Sequence, residues 1–470
     1  MLISFSVCNF RSFREKQTLS MVASARHPDH PEHLAVIPND DHQALPVAVI
    51  YGANGSGKSN LVKALAYMKR LVLFGTEPKA PTGRDPFLLD QTSRLEPTEM
   101  EVQFAESGHF YLFGFRVDNN LVLAEWLSVI RDGKEILVYE RLTTATGEVK
   151  IEPGPVLADR AWGNYAKARA LAQVGALPNQ LFLHATGKTL RDEDQGPVLS
   201  GAWHWFAEHL TIIPADASFA TLVNLIADDK AFGDFAGDFL RRVATGVDRL
   251  RVDTLQVQEG VLTSMGGQAR QIVEGLRVGE TPPLAALGTD FSMEGGIGAK
   301  VRIRMIKSEH VTADGSRVDL PLAEESDGTR RLTHLLPALR SLCRGPGLFV
   351  IDEIDRSLHP LLSKGFVRTF LDACTGRGSQ LIFTSHETAF LDLELLRRDE
   401  IWFADKKQPE GSTELYSLAD FKVRTDLKID KAYLQGRFEA VPPIETELPD
   451  WVRQIMDELK PKGAPESPLN

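Results

Sequence analysis

Residues 45–59 read LPVAVIYGANGSGKS. The first seven form an apolar run with β-branched residues, which predicts a buried strand. Residues 52–59, GANGSGKS, fit the pattern G-x-x-x-x-G-K-S/T. Immediately downstream, Leu61, Leu65, Met68 and Val72 fall on one face of a helix. Phosphate groups need donors without bulk. Gly52, Gly55 and Gly57 let the backbone curl so that its N–H groups point inward, an anion nest at a helix N-terminus. Lys58 supplies a point charge for the β- and γ-phosphates, and the Ser59 hydroxyl is a ligand for Mg2+. The stretch Gly52, Ala53, Asn54, Gly55, Ser56, Gly57, Lys58, Ser59 and Asn60 is therefore expected to hold ATP with its magnesium.

A nucleotide loop needs carboxylates, and residues 348–353 read LFVIDE. An apolar strand ending in Asp-Glu places two carboxylates at the C-terminal edge of a parallel sheet, where ligands bind in open α/β sheets. Asp352 is the expected second magnesium ligand. Glu353 is expected to orient or deprotonate the attacking water. Asp355 follows closely and is read as shaping a dimer contact. Residues 381–386, LIFTSH, form another buried strand, ending in His386, which can donate a hydrogen bond to a γ-phosphate. Catalysis is thus assigned to Lys58, Glu353 and His386. Upstream, EESDGTRRL over 324–332 precedes an apolar helical pattern. Ser326 reads as its cap, and Gly328 as the residue that keeps the turn open. Such a helix start can hold a phosphate. If it cannot reach its own loop, Ser326 and Gly328 serve a neighbour's ATP, which demands a two-fold dimer. Pro337 should kink this helix or shift its start.

The rest of the chain is read more coarsely. Residues 2–8 alternate like a strand, and 76–98 read as a loop. Residues 99–151 read as an antiparallel sheet with turns at Glu106–His109, Asn119–Asn120 and Asp132–Gly133. From Ala158 through Ala161, Trp162, Tyr165 and Leu171 the apolar spacing turns helical, and helical character continues in pieces to about 245. Strands and loops return over 249–320, and 345–405 alternates strand and helix in the parallel style. The expected units are 1–150, an N-terminal ATPase lobe; 151–248, a helical insertion lobe; 249–320, a strand-rich connection; 321–442, a C-terminal ATPase lobe; and 443–470, a tail whose Trp451, Ile455 and Leu459 suit a short amphipathic helix.

Hydrophobic residues make up 43% and charged residues 25%, ordinary globular values for a chain long enough for several lobes. The net charge of -11 argues against a surface coated in nucleic acid but leaves room for a local basic patch. Three cysteines without a C-x-x-C pair argue against a disulfide framework or a zinc site of that kind, and for a cytoplasmic compartment. No signal peptide or membrane span is expected. There is no sustained heptad for a coiled-coil arm.

Together these segments resemble the ABC-type ATPase heads of the SMC/RecF class, an α/β P-loop fold with an antiparallel β-subdomain and a helical insertion lobe. Asn9–Phe13 is similar to the opening strand-turn of that class, GANGSGKS to its Walker A motif, ESDGT to its signature turn, LFVIDE to its Walker B, Asp355 to its D-loop acid and His386 to its switch histidine. The signature turn departs from SGG: Asp327 sets a negative charge beside the phosphate unless it faces away. Gln91 and Gln103 are the candidates for the Q-loop. Within the class, the short head and the segment DKAYLQGRFEAVP at 430–442 look like stand-alone ATP-binding proteins of prokaryotic abortive-infection and restriction-linked loci, the AbiLi-like and RloA-like proteins. The resemblance implies an ATPase switch of a defence system, working as a homodimer with a separate effector. The alternative is a DNA-repair ATPase that clamps DNA, with Arg241, Arg242, Arg249, Arg251, Arg302 and Arg304 facing it. A scaffold that binds ATP without turning it over is the third reading.

Overall fold

The computed structural model describes residues 1–38, 40–159, 162–215, 222–256, 291–294, 302–374, 376–421, 429–434 and 437–438. Three expectations lie outside them: the tail helix at Trp451, Ile455 and Leu459, the place of Ala161, and the side chain of Arg302.

Two large sheets organise the molecule. The strands in chain order are β1 (Leu2–Cys8), β2 (Gln17–Ser20), β3 (Ala35–Val36), β4 (Gln43–Ala44), β5 (Val47–Tyr51), β6 (Thr98–Glu106), β7 (His109–Val117), β8 (Val122–Arg131), β9 (Lys134–Thr143), β10 (Val149–Pro153) and β11 (Leu210–Ile213). They continue with β12 (Val247–Gln256), β13 (Phe291–Glu294), β14 (Arg302–Val311), β15 (Arg317–Pro321), β16 (Leu348–Ile351), β17 (Gln380–Thr384), β18 (Ile401–Lys406) and β19 (Thr413–Ser417). The first large sheet is antiparallel, in the order β10-β9-β8-β7-β6-β1-β2. The second has the order β11-β16-β17-β5-β18-β19 and is parallel apart from β19. A smaller sheet joins β12 to β15.

The parallel sheet is buried on both faces, so its strands carry continuous apolar runs rather than alternation. The period of two still decides the side. Ala48, Ile50, Leu348, Val350, Ile382, Trp402 and Ala404 turn toward the core shared with the antiparallel sheet. Val47, Val49, Tyr51, Phe349, Ile351, Leu381, Phe383, Ile401 and Phe403 turn to a second core under helix Pro360–Cys374. Helix Lys58–Leu73 fills the gap between the sheets, with Leu61, Leu65, Met68 and Val72 all buried, as their spacing predicts. Each contributes about 2 kcal/mol by leaving water. This layered α/β arrangement, with a glycine-rich loop between a central parallel strand and a helix, is a P-loop fold.

The structure corrects several expectations. The loop 76–98 contains a short helix, Gln91–Leu95, capped by Asp90, which accepts the Ser93 N–H at 3.0 Å. The helical spacing from Ala158 is broken: one helix ends at Ala158 and the next runs over Ala166–Val174. The span 151–248 also returns a strand, β11, to the edge of the parallel sheet beside β16. Thr211, Ile212 and Ile213 favour that pleated, half-buried place. Between β17 and β18 the expected helix is replaced by short 3-10 turns at Thr388–Phe390 and Arg398–Glu400. Helix Asp327–Arg344 runs through Pro337 without stopping or shifting its start. Leu332, Leu335, Leu336 and Leu339 are all buried on it. At about 2 kcal/mol each, they exceed the about 3 kcal/mol that an interior proline costs. No helix among the described residues is long and apolar enough to cross a membrane.

Candidate functional site

The glycine-rich loop leaves β5 and enters helix Lys58–Leu73. Gly52, Gly55 and Gly57 take φ of 156°, 80° and 109°, values that disfavour residues with side chains. At Gly57 the space is closed as well: a Cβ would meet Thr413 Oγ1 at 2.1 Å and Ser12 Oγ at 2.6 Å. These two residues clamp the loop from outside. Thr413 Oγ1 donates to the Ser56 carbonyl at 2.6 Å, and the Thr413 N–H donates to the Ser12 carbonyl at 2.7 Å. Asn60 spends its amide on Ser12 Oγ at 2.8 Å. Its side chain is therefore part of the clamp, a different place from the ATP contact expected of it. Asn54 and Gly55 form the exposed crown of the loop, while Ser56 Oγ is buried with no partner among the described residues.

Lys58 is buried at the first helical position, and its ammonium donates to the carbonyls of Gly52 at 2.7 Å and Ala53 at 3.1 Å. Burial pushes its pKa down to about 8, against the opposing pull of Asp352, Glu353 and Asp355. A cation so desolvated gains from a polyanion at the loop.

The sheet order brings the carboxylates to this lysine. β16 is separated from β5 only by β17. β16 ends at Ile351, so Asp352 and Glu353 stand just past the strand. Asp352 Oδ1 accepts from Ser59 Oγ at 3.1 Å and from Thr384 Oγ1 at 2.6 Å. Two hydroxyls and a carboxylate are hard oxygen donors, and Ser59 with Asp352 suits magnesium. Glu353 has φ of 49°, an uncommon value for a residue with a side chain. Its backbone is held on both sides: its N–H donates to Thr384 Oγ1 at 2.7 Å, and its carbonyl accepts from Arg331 Nη2 at 3.2 Å. Arg331 Nη2 also reaches the Asp352 carbonyl at 2.9 Å. Such local strain persists where the surroundings over-determine it, as they do here.

Asp355 Oδ2 accepts the backbone N–H of His386 at 3.3 Å, and its Oδ1 is buried without a partner among the described residues. The His386 residue is exposed just past β17. Partial burial of its imidazole lowers its pKa, and the Lys58 charge adds to that; Asp355, Glu353 and Asp352 oppose. It is thus a neutral imidazole at pH 7, able to donate one hydrogen bond.

Ser326 caps helix Asp327–Arg344, its Oγ accepting the Thr329 N–H at 3.1 Å. Gly328 is not an opener of the turn. It lies inside the first helical turn, where a Cβ would meet the Ser357 carbonyl at 2.7 Å. Asp327 faces outward, 82% exposed and 3.8 Å from Arg330. No hydrogen bond joins Ser326 or Gly328 to residues 52–60 among the described residues. Gln91 and Gln103 likewise make none to that loop; Gln103 sits in β6 opposite Ser4 and Leu112.

Sequence reasoning missed Thr384, Arg331, Ser12 and Thr413. Thr384 ends an apolar run and Arg331 follows the capped turn, so both stood next to motifs. Thr413 carried no local sign, since its partner loop is more than 350 residues away. Of the arginines expected to face DNA, Arg241 pairs with Asp238, Arg249 with Asp248 at 3.9 Å, Arg251 with Glu309 at 2.6 Å and Arg304 with Asp228 at 3.4 Å. Arg242 is exposed.

A family model described as "AAA domain, putative AbiEii toxin, Type IV TA system" matches residues 47–162 and 186–392. No curated protein sequence matches the chain. Among solved structures it is similar to the SMC head domain from Thermotoga maritima, with 13% identity, 88% of this chain and 98% of that one covered, and a TM-score of 0.34. It is similar as well to an SmcHead bound to the C-winged helix domain of ScpA, with 12% identity, coverage of 88% and 97%, and a TM-score of 0.35. A third is the Smc head domain with an extended coiled coil bound to the C-terminal domain of ScpA derived from Pyrococcus furiosus, with 11% identity, coverage of 94% and 99%, and a TM-score of 0.34.

Proposed function

The chain belongs to the AAA-domain family described as putative AbiEii toxin of a type IV toxin–antitoxin system, and from that membership we propose that it is an ATP-hydrolysing switch whose two copies close on shared nucleotide. One observation carries this reading. Ser59 and Asp352, 293 residues apart, meet at 3.1 Å beside the buried Lys58. A hydroxyl, a carboxylate and a desolvated ammonium at one helix start suit a metal-bound polyphosphate.

In this proposal the loop N–H groups and Lys58 bind the β- and γ-phosphates of ATP. Ser59 and Asp352 hold magnesium, which neutralises phosphate charge when bound. Glu353 orients a water and accepts its proton as the water oxygen attacks the γ-phosphorus. The bond to the bridging oxygen breaks, leaving ADP and phosphate. His386 donates a hydrogen bond to the γ-phosphate. Ser326 and the start of its helix, exposed on the surface, hold the γ-phosphate of a partner's ATP. The buried, unpaired Asp355 Oδ1 is the group that the same closure would satisfy.

The family's toxin–antitoxin description is the support for a role in prokaryotic defence; in this proposal the chain acts there as a regulatory ATPase, in the cytoplasm and beside a separate effector. The DNA-clamping alternative has less support, because Arg241, Arg249, Arg251 and Arg304 are each paired with a carboxylate of this chain. Two variants test the chemistry. Lys58→Ala should abolish ATP binding measured by calorimetry. Glu353→Gln should bind ATP as the parent does and release no phosphate. Equal turnover in both variants and the parent would end the assignment.

A further inference from the structure

Tyr51 is the last residue of β5, one position before the phosphate loop. Its ring is fully buried in the second core. Phe403, its neighbour in β18, lies 6.2 Å away by ring centroid, and Tyr433 lies 5.8 Å away. Tyr433 and Phe438 both run nearly parallel to Phe403, so the start of the 430–442 segment closes an aromatic box around Tyr51. A phenylalanine would fill this box equally well. The hydroxyl adds a polar group whose burial costs unless it is bonded. It donates to the Glu387 carbonyl at 3.2 Å, one residue beyond His386. We propose that Tyr51 is a positioning residue, which holds the turn that aims His386 at the γ-phosphate. This rests on the role given to His386 above.

Three successive peptide groups of this turn are held, each by a different side chain. The His386 N–H donates to Asp355 Oδ2 at 3.3 Å, a long bond. The Glu387 N–H donates to Ser385 Oγ at 2.9 Å, a contact within the turn itself. The Glu387 carbonyl takes the Tyr51 hydroxyl. It also faces the Phe390 N–H, but at 3.5 Å, so the phenol is its firmer partner. Burial raises the Tyr51 pKa well above its ordinary value, and the nearby Asp355, Tyr433 and Glu387 add to that. The phenol therefore keeps its proton and remains a donor throughout the neutral range.

The three holds differ in what fixes them. Asp355 belongs to the turn that the proposed closure engages, and Ser385 moves with the histidine. Tyr51 is anchored in a packed core, and its own backbone runs on into Gly52, whose carbonyl accepts the Lys58 ammonium. One residue thus ties the His386 turn to the start of the phosphate loop. β5 and β17 are also joined just beneath it, where the Ser385 N–H donates to the Ile50 carbonyl at 3.1 Å. His386 itself is exposed. Its place relative to a bound γ-phosphate is set by its backbone, and a small displacement there weakens a hydrogen bond that catalysis needs.

The test is a double-mutant cycle on the full chain, with Mg-ATP turnover and ATP binding by calorimetry as readouts. Tyr51→Phe keeps the ring and removes the donor. Its kcat should fall about ten-fold, while its Kd for Mg-ATP stays within about two-fold of the parent's. His386→Ala should lose turnover as well, and Tyr51→Phe added to His386→Ala should cost nothing further, because the hydroxyl acts through the histidine. A merely structural role would lower turnover equally in both backgrounds. Two losses that multiply therefore overturn the proposal, and so does a Tyr51→Phe protein with the parent's kcat beside a crippled His386→Ala. Full turnover in His386→Ala is a different failure: it removes the histidine from the proposed mechanism, and this inference falls with it.

Discussion

Thr384 sits fully buried between the two carboxylate-bearing residues, donating to Asp352 and accepting from the Glu353 N–H. Thr384→Val keeps the shape and removes both bonds, leaving a buried N–H unpaired. It should cost about 1–3 kcal/mol of stability and weaken Mg-ATP binding, whereas Thr384→Ser should preserve both. Unfolding midpoints in denaturant and calorimetry decide between them, and equal behaviour of the two variants would remove Thr384 from the site. Lys58, Ser59 and Asp352 were legible because a phosphate loop and a strand-end acid are patterns of sequence. Thr384 was not: a hydroxyl at the end of an apolar run acquires meaning only when another strand end lies beside it. The same holds for Asn60, whose position in the motif suggests nucleotide but whose amide is used on Ser12.

Among the elements, helix Asp327–Arg344 gives a prediction whose sign is not the intuitive one. Glycine inside a helix is worse than alanine by about 1 kcal/mol, so Gly328→Ala should stabilise an isolated helix. Here the added carbon would meet the Ser357 carbonyl at 2.7 Å. A backbone atom cannot swing aside, and overpacking of this kind costs about 1–3 kcal/mol. Chemical denaturation should therefore find the variant less stable than the parent; greater stability would show that the helix start and the 355–358 turn are not in contact.

The start of β11 offers a pH test. His209 Nδ1 is 2.8 Å from the Pro346 carbonyl, and Nε2 is 3.4 Å from Glu106 Oε2. Both partners accept, so both ring nitrogens need protons. The hydrogen bond to Glu106 raises the pKa of His209, with burial opposing it. A raised folded value means that stabilisation is full below the unfolded pKa of about 6.5 and fades as pH rises through the folded one. The stability gap between the parent and His209→Gln should shrink as pH rises above the unfolded value of about 6.5; a gap that grows would refute the pairing. β11 itself was not read from sequence. It lies in helical surroundings and is only four residues long. The meander β6–β9 was legible throughout, because each of its strands is nine or ten residues long and the turns between them carry clear signals.

At the scale of the whole molecule, the proposed closure of two copies is the property to measure. Glu353→Gln with Mg-ATP should sediment as a dimer while the nucleotide-free protein remains a monomer, and Ser326→Ala in that background should weaken the dimer. Dimerisation indifferent to nucleotide would leave the site without its partner. The order of the parallel sheet, β11-β16-β17-β5-β18-β19, was beyond sequence reading for the same reason Thr413 was. The central strand β5 pairs with β17 and β18, both more than 300 residues away, and that pairing is settled by the cores on either face rather than by any local signal.

β11 also sets a rule for anyone who wants a smaller version of this protein. The helical span looks like a removable decoration, yet it lends the sheet its outermost rung. Cutting from 155 to 245 would bare the N–H and C=O groups of Leu348–Ile351, an apolar edge one residue from Asp352. Fragments so made would stick to one another along that seam, and their lost activity would report on clumping, not on chemistry.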